Sequence, residues 1–587
     1  MLINKTINCY YRKYWYCFLF GILVLIGVDA VQLLLPPIIA KIVDTANQNN
    51  LTLNFITIQS LYILAIGLAI FVGRVLWRFL LNGVSVLIQA DLRKRLFIHC
   101  ENLPKEYHNT HKTGATMAIL TNDTEAISDT FSDGVIYLVD ILVLGTLAFI
   151  KMMMVNWVLS LVTIIPLILF VFSGNILEKV ETRTFEAQQE SFERMSDFTT
   201  ENLFGISVIK AFVKEKQQIH AFSGRVNDNR KKYIRFIRFD NIYNIIINGV
   251  VYLSLIALLI LGGYFATKDI EIIGIEHMTG PALTEFYGYF DSLIWPMFAI
   301  VFFVSITSRG RASCKRVSEI LNTPISVKDK DGIVPTNEKI TGDIEFNHLS
   351  FAYPDSEEES LIDCNFVIKK GQNVGIIGRT GSGKSTIISM LLKQYNIEDG
   401  MLKIGGVDIN DLSTVDLRNS IGLVNQDPFL FSTTIAKNIA FSDETISMER
   451  IKEAAKFACI DENIEGFKDG YETVVGERGV SLSGGQKQRI SMARAVIKDP
   501  EILLLDDSVS AVDSSTEKAI LKNINEGRKG KTTIIIAHRI SAVEDLDMII
   551  LMDKGRVVAT GTHDELLKDN KMYQDIVKLQ ELEKEVN

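Results

Sequence analysis

Long apolar runs separated by polar connections make up the first half of the chain. Six runs before residue 310 approach the roughly 20 residues that a helix needs to cross a bilayer. They cover residues 15–35, 57–81, 135–154, 157–173, 242–266 and 287–308. The pattern predicts six membrane-spanning helices, with a tight hairpin at Val155 and Asn156 between the third and fourth. The first run is longer than a signal-peptide core, so we expect it to be a retained span.

Basic residues in the connections predict the orientation of the spans. The long connections 82–134 and 174–241 carry five and twelve Lys or Arg residues, whereas 36–56 and 267–286 carry one each. Because Lys and Arg accumulate on the cytoplasmic side, both termini and both long connections are expected in the cytoplasm. The sequence therefore predicts a multi-pass protein of the cell membrane.

The connection 174–241 has no proline and keeps apolar residues at helical intervals, including Leu203, Ile206 and Ile209. One interpretation is a pair of solvated helical hairpins without special function. The other, which we favour, is that the spans continue as helical arms on the order of 40 Å into the cytoplasm. Arms of that length are suited to transmitting motion.

The pattern changes after residue 325, where short Val, Ile and Leu stretches alternate with glycine-containing turns and helix-like segments. This is typical of an α/β domain. A segment with two prolines and mixed charge, 323–341, is the predicted linker. The expected organisation is a helical six-span membrane domain at 1–322, the linker at 323–341, and an α/β domain at 342–587.

Composition and charge exclude several classes of protein. Hydrophobic residues form 48% of the 587 positions and the mean hydropathy is +0.20, values too apolar for an ordinary soluble enzyme. The net charge of −9 argues against a nucleic-acid partner, whose phosphates require a basic surface. Six cysteines stand apart from one another without a CxxC pair, so neither a disulfide framework nor a zinc site is predicted.

A phosphate-binding motif, GRTGSGKS at 378–385, follows the apolar run 374–377 and precedes a helix-like segment. A strand, a glycine-rich loop and a helix in this order surround phosphates with backbone N–H groups. Lys384 is expected to contact the β and γ phosphates and Ser385 to ligate Mg²⁺; the bland alternative is a glycine-rich structural turn. The predicted nucleotide-binding residues here are Gly378, Arg379, Thr380, Gly381, Ser382, Gly383, Lys384, Ser385 and Thr386.

A second apolar stretch, ILLLD, ends at Asp506, where a carboxylate at a strand end can hold Mg²⁺ through water. Between the two motifs lies LSGGQKQR, residues 482–489. On these three elements the sequence resembles the ATP-binding cassette (ABC) family. The resemblance implies a P-loop NTPase domain of ABC type with a helical subdomain, using ATP and Mg²⁺.

The resemblance assigns roles to further residues by their motifs. Tyr353 in FAYP resembles the residue that stacks on adenine, and Gln426 in VNQDPFLF the one that ligates Mg²⁺ and senses the γ phosphate. Glu477 in VGERG resembles the residue that contacts the partner's coupling loop. Asp513 in SAVD matches the loop at the dimer interface, and His538 in IIAHR the histidine that positions the γ phosphate. In isolation, each would more often be a packing or surface residue.

One position departs from the family pattern, which has Glu as general base after the Mg²⁺-associated aspartate. This chain has Asp507, whose carboxylate is set back by about 1.5 Å, enough to slow hydrolysis strongly. Family ATP sites form between two cassettes, so an intact signature here can complete a competent site on a second half-transporter. The favoured hypothesis is a heterodimer; the alternative is a homodimer with Asp507 as a slower base. The signature residues are Ser483, Gly484, Gly485 and Gln486.

The membrane half resembles the exporter branch of the family in LRKRLFIHCENLP, GISVIKAFVKE and ASCKRVSEIL, and bacterial multidrug-type exporters in YFDSLIWPMFAI. This resemblance implies ATP-driven export of hydrophobic or amphipathic compounds by alternating access. Lipid or peptide export and a non-transporting ATP-binding regulator are the alternatives. Processing peptide exporters are disfavoured because no peptidase domain precedes the first run, and a soluble P-loop ATPase is disfavoured by the six runs.

Among the charged residues within the predicted spans, four stand out: Arg74, Arg78, Asp140 and Asp291. A charge in hydrocarbon is costly, so these side chains should face the bundle, a wet cavity or each other. We expect either polar contacts that fix helix packing or contacts within a transport cavity. Asp291 is the best candidate for the second role.

Overall fold

The computed structural model describes residues 5–267, 278–476, 482–508 and 512–586. These form two compact units. The helical unit comprises Met1–Glu101 and Thr113–Thr323, and the α/β unit comprises Asn102–Lys112 and Pro324–Asn587.

The helical unit consists of α-helices interrupted by two π-helical turns, Ile119–Asp123 and Ile141–Gly145. Its α-helices are Lys5–Lys13, Trp15–Gln32, Leu35–Asn47, Leu53–Asn102, Thr113–Ala118, Thr124–Asp140, Thr146–Val155, Trp157–Phe204, Ile206–Ala211, Glu215–Thr267 and Gly280–Asn322.

Five helical segments among the described residues are long and apolar enough to cross a membrane. They are Trp15–Asn47, Leu53–Asn102, Thr113–Val155, Glu215–Phe265 and Gly280–Asn322. The predicted span 157–173 coincides with a shorter apolar stretch, Trp157–Leu169. Each predicted span thus lies on helical segments, the first being divided between helices Trp15–Gln32 and Leu35–Asn47, whereas the count of six is not confirmed.

The predicted hairpin between the third and fourth spans is confirmed. Asn156 has extended backbone between helices Thr146–Val155 and Trp157–Phe204. Its side-chain Oδ1 accepts a hydrogen bond from the backbone N–H of Leu159 at 2.9 Å, which caps the second helix. A single residue therefore reverses the chain.

The helical arms are also present, since Trp157–Phe204 and Glu215–Thr267 run for 48 and 53 residues. They pack against each other through Phe185 and Phe236, whose ring centroids are 5.5 Å apart. Ser191 Oγ donates to Asp228 Oδ2 at 3.0 Å across the same contact. The two arms thus contact each other through aromatic and polar side chains.

The described residues of the α/β unit form ten strands in two sheets. They are β1 Ile344–Ala352, β2 Glu359–Ile368, β3 Asn373–Gly378, β4 Leu402–Ile404, β5 Val407–Asp408, β6 Ile421–Val424, β7 Ile502–Asp506, β8 Thr532–Ile536, β9 Met548–Asp553 and β10 Arg556–Gly561. The smaller sheet has the order β2-β1-β4-β5 and the larger β10-β9-β3-β8-β7-β6. In the larger sheet only β10 is antiparallel to its neighbour.

The described residues of the α/β unit also form helices, several of which lie between β6 and β7 in the sequence. The helices are Lys105–Thr110, Lys384–Leu391, Thr414–Ser420, Ile435–Ile439, Met448–Phe457, Asp461–Glu465, Gly484–Val496, Ser514–Gly527, His563–Asp569 and Lys571–Val586. Strands β3, β7 and β8 are buried runs of Val, Ile and Leu, as parallel strands covered on both faces require. Their carboxyl ends meet at one edge, where ligands bind in open α/β sheets.

The predicted linker lacks helix and strand and lies along the α/β unit. The backbone N–H groups of Thr336 and Asn337 donate to the buried Asp416 carboxylate at 2.7 and 3.0 Å. That of Ile340 donates to Ser420 Oγ at 2.7 Å. The segment from 336 onwards is therefore fixed to the α/β unit by hydrogen bonds.

Candidate functional site

The glycine-rich motif forms the loop between β3 and helix Lys384–Leu391, as the sequence predicts. Gly381 and Gly383 have φ of +80° and +93°, in the left-handed region that favours glycine. A Cβ on Gly383 would lie 2.6 Å from the backbone oxygen of Ser360, so no larger residue fits there. The loop conformation follows directly from these glycines.

A cavity of about 320 Å³ opens above this loop. It is lined by Tyr353, Ser360, residues 380–386, Gln426, Asp506, Ile536 and His538. The structure therefore brings together most of the residues predicted from motifs spread over residues 353–538. Gly378, Arg379 and Asp507 do not line the cavity.

Two groups in the loop suit an anionic ligand. The buried Lys384 ammonium donates to the backbone oxygens of Gly378 and Arg379 at 3.0 and 2.9 Å, and its burial lowers the pKa of the lysine. Ser382 Oγ is buried and has no hydrogen-bond partner among the described residues. An anion at the helix N-terminus would satisfy both donors, which is the fit expected for phosphates.

Oxygen donors gather beside the lysine. Ser385 Oγ donates to Asp506 Oδ1 at 3.3 Å, and the Gln426 side chain lines the same cavity. Burial raises the pKa of Asp506, while the Ser385 hydrogen bond lowers it. A hydroxyl, a carboxylate and an amide are ligands that Mg²⁺ accepts, so these residues fit the predicted metal site.

Tyr353, which the sequence predicts to stack on adenine, is one of the residues that line the cavity. Its hydroxyl lies 3.1 Å from Thr386 Oγ1. Phe351 and Tyr395 contact its ring edge-on at centroid distances of 5.2 and 5.3 Å. These contacts hold the ring in a fixed orientation beside the loop.

Asp507 follows directly after β7 and has a φ of +45°, an uncommon conformation that aspartate tolerates. Its N–H donates to the backbone oxygen of Ile536 at 2.9 Å, which ties the residue to β8. Lys384 lies near enough for both Asp506 and Asp507 to act on its charge. Asp507 is thus next to the cavity without forming its wall.

His538 lies in the cavity wall, and its backbone is held by a residue near the C-terminal end of the chain. Gln580, on helix Lys571–Val586, donates through Nε2 to the backbone oxygen of His538 at 2.7 Å. Its Oε1 accepts from the N–H of Ile540 at 2.8 Å. Sequence reasoning missed Gln580, because no motif marks a residue whose side chain contacts backbone groups 42 and 40 positions earlier.

The signature residues form the start of helix Gly484–Val496. Ser483 Oγ accepts from the N–H of Gln486 at 3.3 Å, and Gln486 Oε1 accepts from the N–H of Ser483 at 2.9 Å. This capping box orders the helix N-terminus. Ser483, Gly484, Gly485 and Gln486 do not line the cavity above the chain's own phosphate-binding loop.

Asp513 caps the N-terminus of helix Ser514–Gly527 in the α/β unit. Its carboxylate accepts from the side chain of Ser515 and from the backbone N–H and side chain of Thr516. Those hydrogen bonds lower the pKa of Asp513. The predicted interface residue Glu477 lies outside the described residues.

The four charged residues predicted within the spans meet at a second cavity, of about 440 Å³, in the helical unit. Arg74, Arg78, Asp140 and Asp291 all line it. So does Asp29, which sequence reasoning did not single out although it lies within the first predicted span. Trp295 Nε1 donates to Asp140 Oδ2 at 2.7 Å.

Comparison with known proteins assigns both units. The model of the ABC transporter transmembrane region matches residues 18–275, and the ABC transporter model matches 361–510. The chain is 35% identical to a probable multidrug resistance ABC transporter ATP-binding/permease protein, YheI, of Bacillus subtilis (strain 168), covering 99% of this chain and 98% of that protein.

Two further relatives and one solved structure also match over nearly the full length. Multidrug resistance-like ATP-binding protein MdlA of Escherichia coli (strain K12) is 33% identical over 99% of this chain and 97% of its own. An ATP-dependent lipid A-core flippase of Legionella pneumophila (strain Paris) is 31% identical, with coverage of 99% and 97%.

The solved structure is a bacterial Atm1-family ABC exporter with ATP bound. It superimposes with a TM-score of 0.79 at 25% identity, covering 98% of this chain and 99% of the other. The chain therefore belongs to the ABC transporter family, as a membrane-spanning exporter chain with a fused ATPase domain that binds ATP and couples its hydrolysis to transport.

Proposed function

We propose that this protein exports hydrophobic or amphipathic compounds across the cytoplasmic membrane as one half of a dimer. The observation that carries the proposal is the combination, in one chain, of a built phosphate-binding cavity with apolar spans that enclose a polar cavity. Full-length similarity to multidrug-type relatives supports the same substrate class. The membrane domain is assigned to 1–322, the linker to 323–341 and the ATPase domain to 342–587.

Each residue around the first cavity has a proposed role. The backbone N–H groups of 380–386 and the Lys384 ammonium hold the phosphates, and Tyr353 stacks on adenine. Ser385, Gln426 and Asp506 hold Mg²⁺, which neutralises phosphate charge when bound. His538 orients the terminal phosphate, and Asp507 is the base that polarises the attacking water.

Hydrolysis is proposed to be asymmetric in the dimer. The signature residues 483–486 lie away from the chain's own cavity, so they are available to a second cassette. The side chain of Asp507 is one methylene shorter than the family's glutamate, and this shorter reach is proposed to limit hydrolysis on this chain's own loop. Ser483 and its neighbours therefore serve an active site whose glutamate comes from a different half-transporter.

Exposed apolar residues at the tip of the helical arms support a partner. Phe204 is 87% exposed, and Phe212 and Val213 are also largely exposed. In the α/β unit, Phe429 and Phe441 are exposed as well. Large apolar side chains grouped on a surface mark interaction sites, so we propose that the arms of one half dock on the aromatic residues of the other.

Export is tested with inside-out membrane vesicles. Amphipathic dye is expected to accumulate when MgATP is added outside, where the ATPase domain and both termini are proposed to lie. Vesicles with Lys384→Met are the matched control, because the substitution removes only the loop's ammonium. Nucleotide binding without accumulation of any amphipathic dye would instead support a non-transporting regulator.

Lipid export is the second candidate, favoured by the 31% identity to a lipid A-core flippase. Fluorescent lipid added to the same vesicles distinguishes the two. ATP-dependent lipid movement without dye accumulation would replace the first proposal with the second.

The partner is identified by native mass spectrometry of the tagged chain from its own host's membranes. A complex of this 65.9 kDa chain with a different chain is expected. Two identical chains would contradict the asymmetric dimer and make the two ATP sites equivalent.

A further inference from the structure

The helix that begins with the signature residues also reaches the end of β7 in the same chain. Gln488 lies in helix Gly484–Val496, just after the signature, and is 5% exposed. Its Nε2 donates to the backbone oxygen of Asp507 at 3.5 Å. One helix therefore carries both the signature and a contact to the proposed base of this chain's own site.

The backbone of Asp507 has a conformation that its surroundings must maintain. Its φ of +45° lies in the left-handed region, which residues other than glycine adopt rarely and keep only where neighbouring contacts determine it. The N–H of Asp507 donates to the backbone oxygen of Ile536 on β8 at 2.9 Å, and its C=O accepts from Gln488. Both backbone groups are thus engaged, and the contact to the C=O comes from a side chain of the signature helix.

Two polar atoms next to this contact are left without partners. Gln488 Oε1 is buried and has no hydrogen bond among the described residues, and the same is true of Ser508 Oγ. Ser508 follows Asp507 directly and is 1% exposed. Buried polar atoms are normally paired, because leaving one unpaired is unfavourable. The amide oxygen accepts and the hydroxyl can donate, so the two atoms are complementary.

The contact between Gln488 and the peptide after Asp507 is therefore incomplete in this structure. Its length of 3.5 Å exceeds the range of about 2.7–3.2 Å that is usual for N–H···O hydrogen bonds. An arrangement with a shorter Gln488–Asp507 hydrogen bond, in which Ser508 Oγ donates to Gln488 Oε1, would satisfy all of these groups. That arrangement would hold the peptide on which the direction of the Asp507 carboxylate depends.

We propose that Gln488 is a positioning residue for hydrolysis on this chain's own loop, and that together with Ser508 it fixes the backbone of Asp507 so that the carboxylate faces the attacking water. The inference rests on the proposed role of Asp507 as base. Gln488 does not line the nucleotide cavity, so it acts through the main chain of Asp507. Since a misplacement of about 1 Å costs on the order of a hundredfold in rate, losing this hold slows hydrolysis without weakening ATP binding.

The test uses purified dimers in which the P-loop lysine of the other half is replaced by methionine, so that only this chain's loop hydrolyses ATP. Phosphate release from radiolabelled ATP resolves slow turnover. Gln488→Met keeps the length of the side chain and removes the amide, so kcat should fall about tenfold with KM for ATP within about twofold of the wild-type value. Ser508→Ala should lower kcat at least about threefold. Ser491→Ala, which removes a buried hydroxyl from the same helix, is the matched control and should leave kcat unchanged.

Two further dimers separate positioning from a general defect of the helix. In an Asp507→Asn background, Gln488→Met should cause no additional loss, because no base remains to be positioned. In dimers where Lys384→Met silences this chain's loop and the other loop is intact, Gln488→Met should leave turnover unchanged. An unchanged kcat on this chain's loop, or a comparable loss in either of these two dimers, would overturn the proposal.

Failure of the proposed base gives a different result from failure of the positioning role. Turnover on this chain's loop that persists in Asp507→Asn refutes the role of Asp507 as base and, with it, the role of Gln488. Turnover that is lost in Asp507→Asn but retained in Gln488→Met refutes the positioning role alone.

Discussion

Lengthening the side chain of Asp507 by one methylene is expected to restore fast hydrolysis on this chain's own loop. The backbone of Asp507 is held to Ile536 by a 2.9 Å hydrogen bond, so Asp507→Glu should advance the carboxylate by about 1.5 Å without moving the main chain. A misplacement of about 1 Å costs on the order of a hundredfold in rate, or about 2.7 kcal/mol. We therefore expect turnover to rise by roughly one to two orders of magnitude.

ATP affinity should change little in Asp507→Glu, because the proposed phosphate contacts come from 380–386 and not from Asp507. The assay is phosphate release by the purified dimer whose other P-loop lysine has been replaced by methionine, so that only this chain's loop is active. Asp507→Asn, which is no longer a base, and Asp545→Glu, an exposed site outside the cavity, are the controls. Turnover within twofold of the wild-type value, with ATP still bound, would refute the argument that carboxylate reach limits this site.

Three further substitutions test the supporting structure. Gln580→Leu removes both hydrogen bonds that hold residues 538–540, so the kcat of ATP hydrolysis should fall about tenfold with KM nearly unchanged. Gln574→Leu, on the same helix, is the control and should leave both constants unchanged. If the two variants have the same kcat and KM, Gln580 does not position His538. Lys384→Met should weaken ATP binding at least tenfold. It should not lower the Tm measured without nucleotide in scanning fluorimetry, because burial lowers the pKa of the Lys384 ammonium and burying this charge costs folding free energy. A lower Tm would contradict this reasoning. Asp123→Ala breaks the contacts at 2.6 and 2.8 Å from Arg316 and should cost about 2 kcal/mol of unfolding free energy in denaturant titrations, whereas unchanged stability would refute it.

Local patterns predicted the parts of the fold that local physics dictates. The strand before the phosphate-binding loop and the helix after it are present as β3 and Lys384–Leu391, because the glycines and the apolar run leave few alternatives. The hairpin at Asn156 was predictable because only two residues separate the apolar runs 135–154 and 157–173. Hydropathy located every predicted span on helical segments, although one apolar stretch is shorter than expected within the described residues.

Features that depend on distant contacts were not predictable from the sequence. Asp29 lines the same cavity as Asp140, although the two residues are 111 positions apart in the sequence. Only the folded structure shows that they lie together. Gln580 acts on the backbone of residues 538–540, which leaves no signature in side-chain type. The signature motif indicated a nucleotide contact, whereas the capping box of Ser483 and Gln486 became visible only with coordinates.

ATP turnover by dimers that carry one substitution in this chain is the most direct test of hydrolysis shared between two cassettes. Ser483→Arg, in the signature, is compared with Asp507→Asn, beside this chain's own loop. Turnover is expected to be almost abolished by Ser483→Arg and largely retained in Asp507→Asn, because this chain's signature serves the faster site. Equal loss in both variants would contradict the asymmetric account, and retained turnover in Ser483→Arg would exclude a catalytic contribution of this signature.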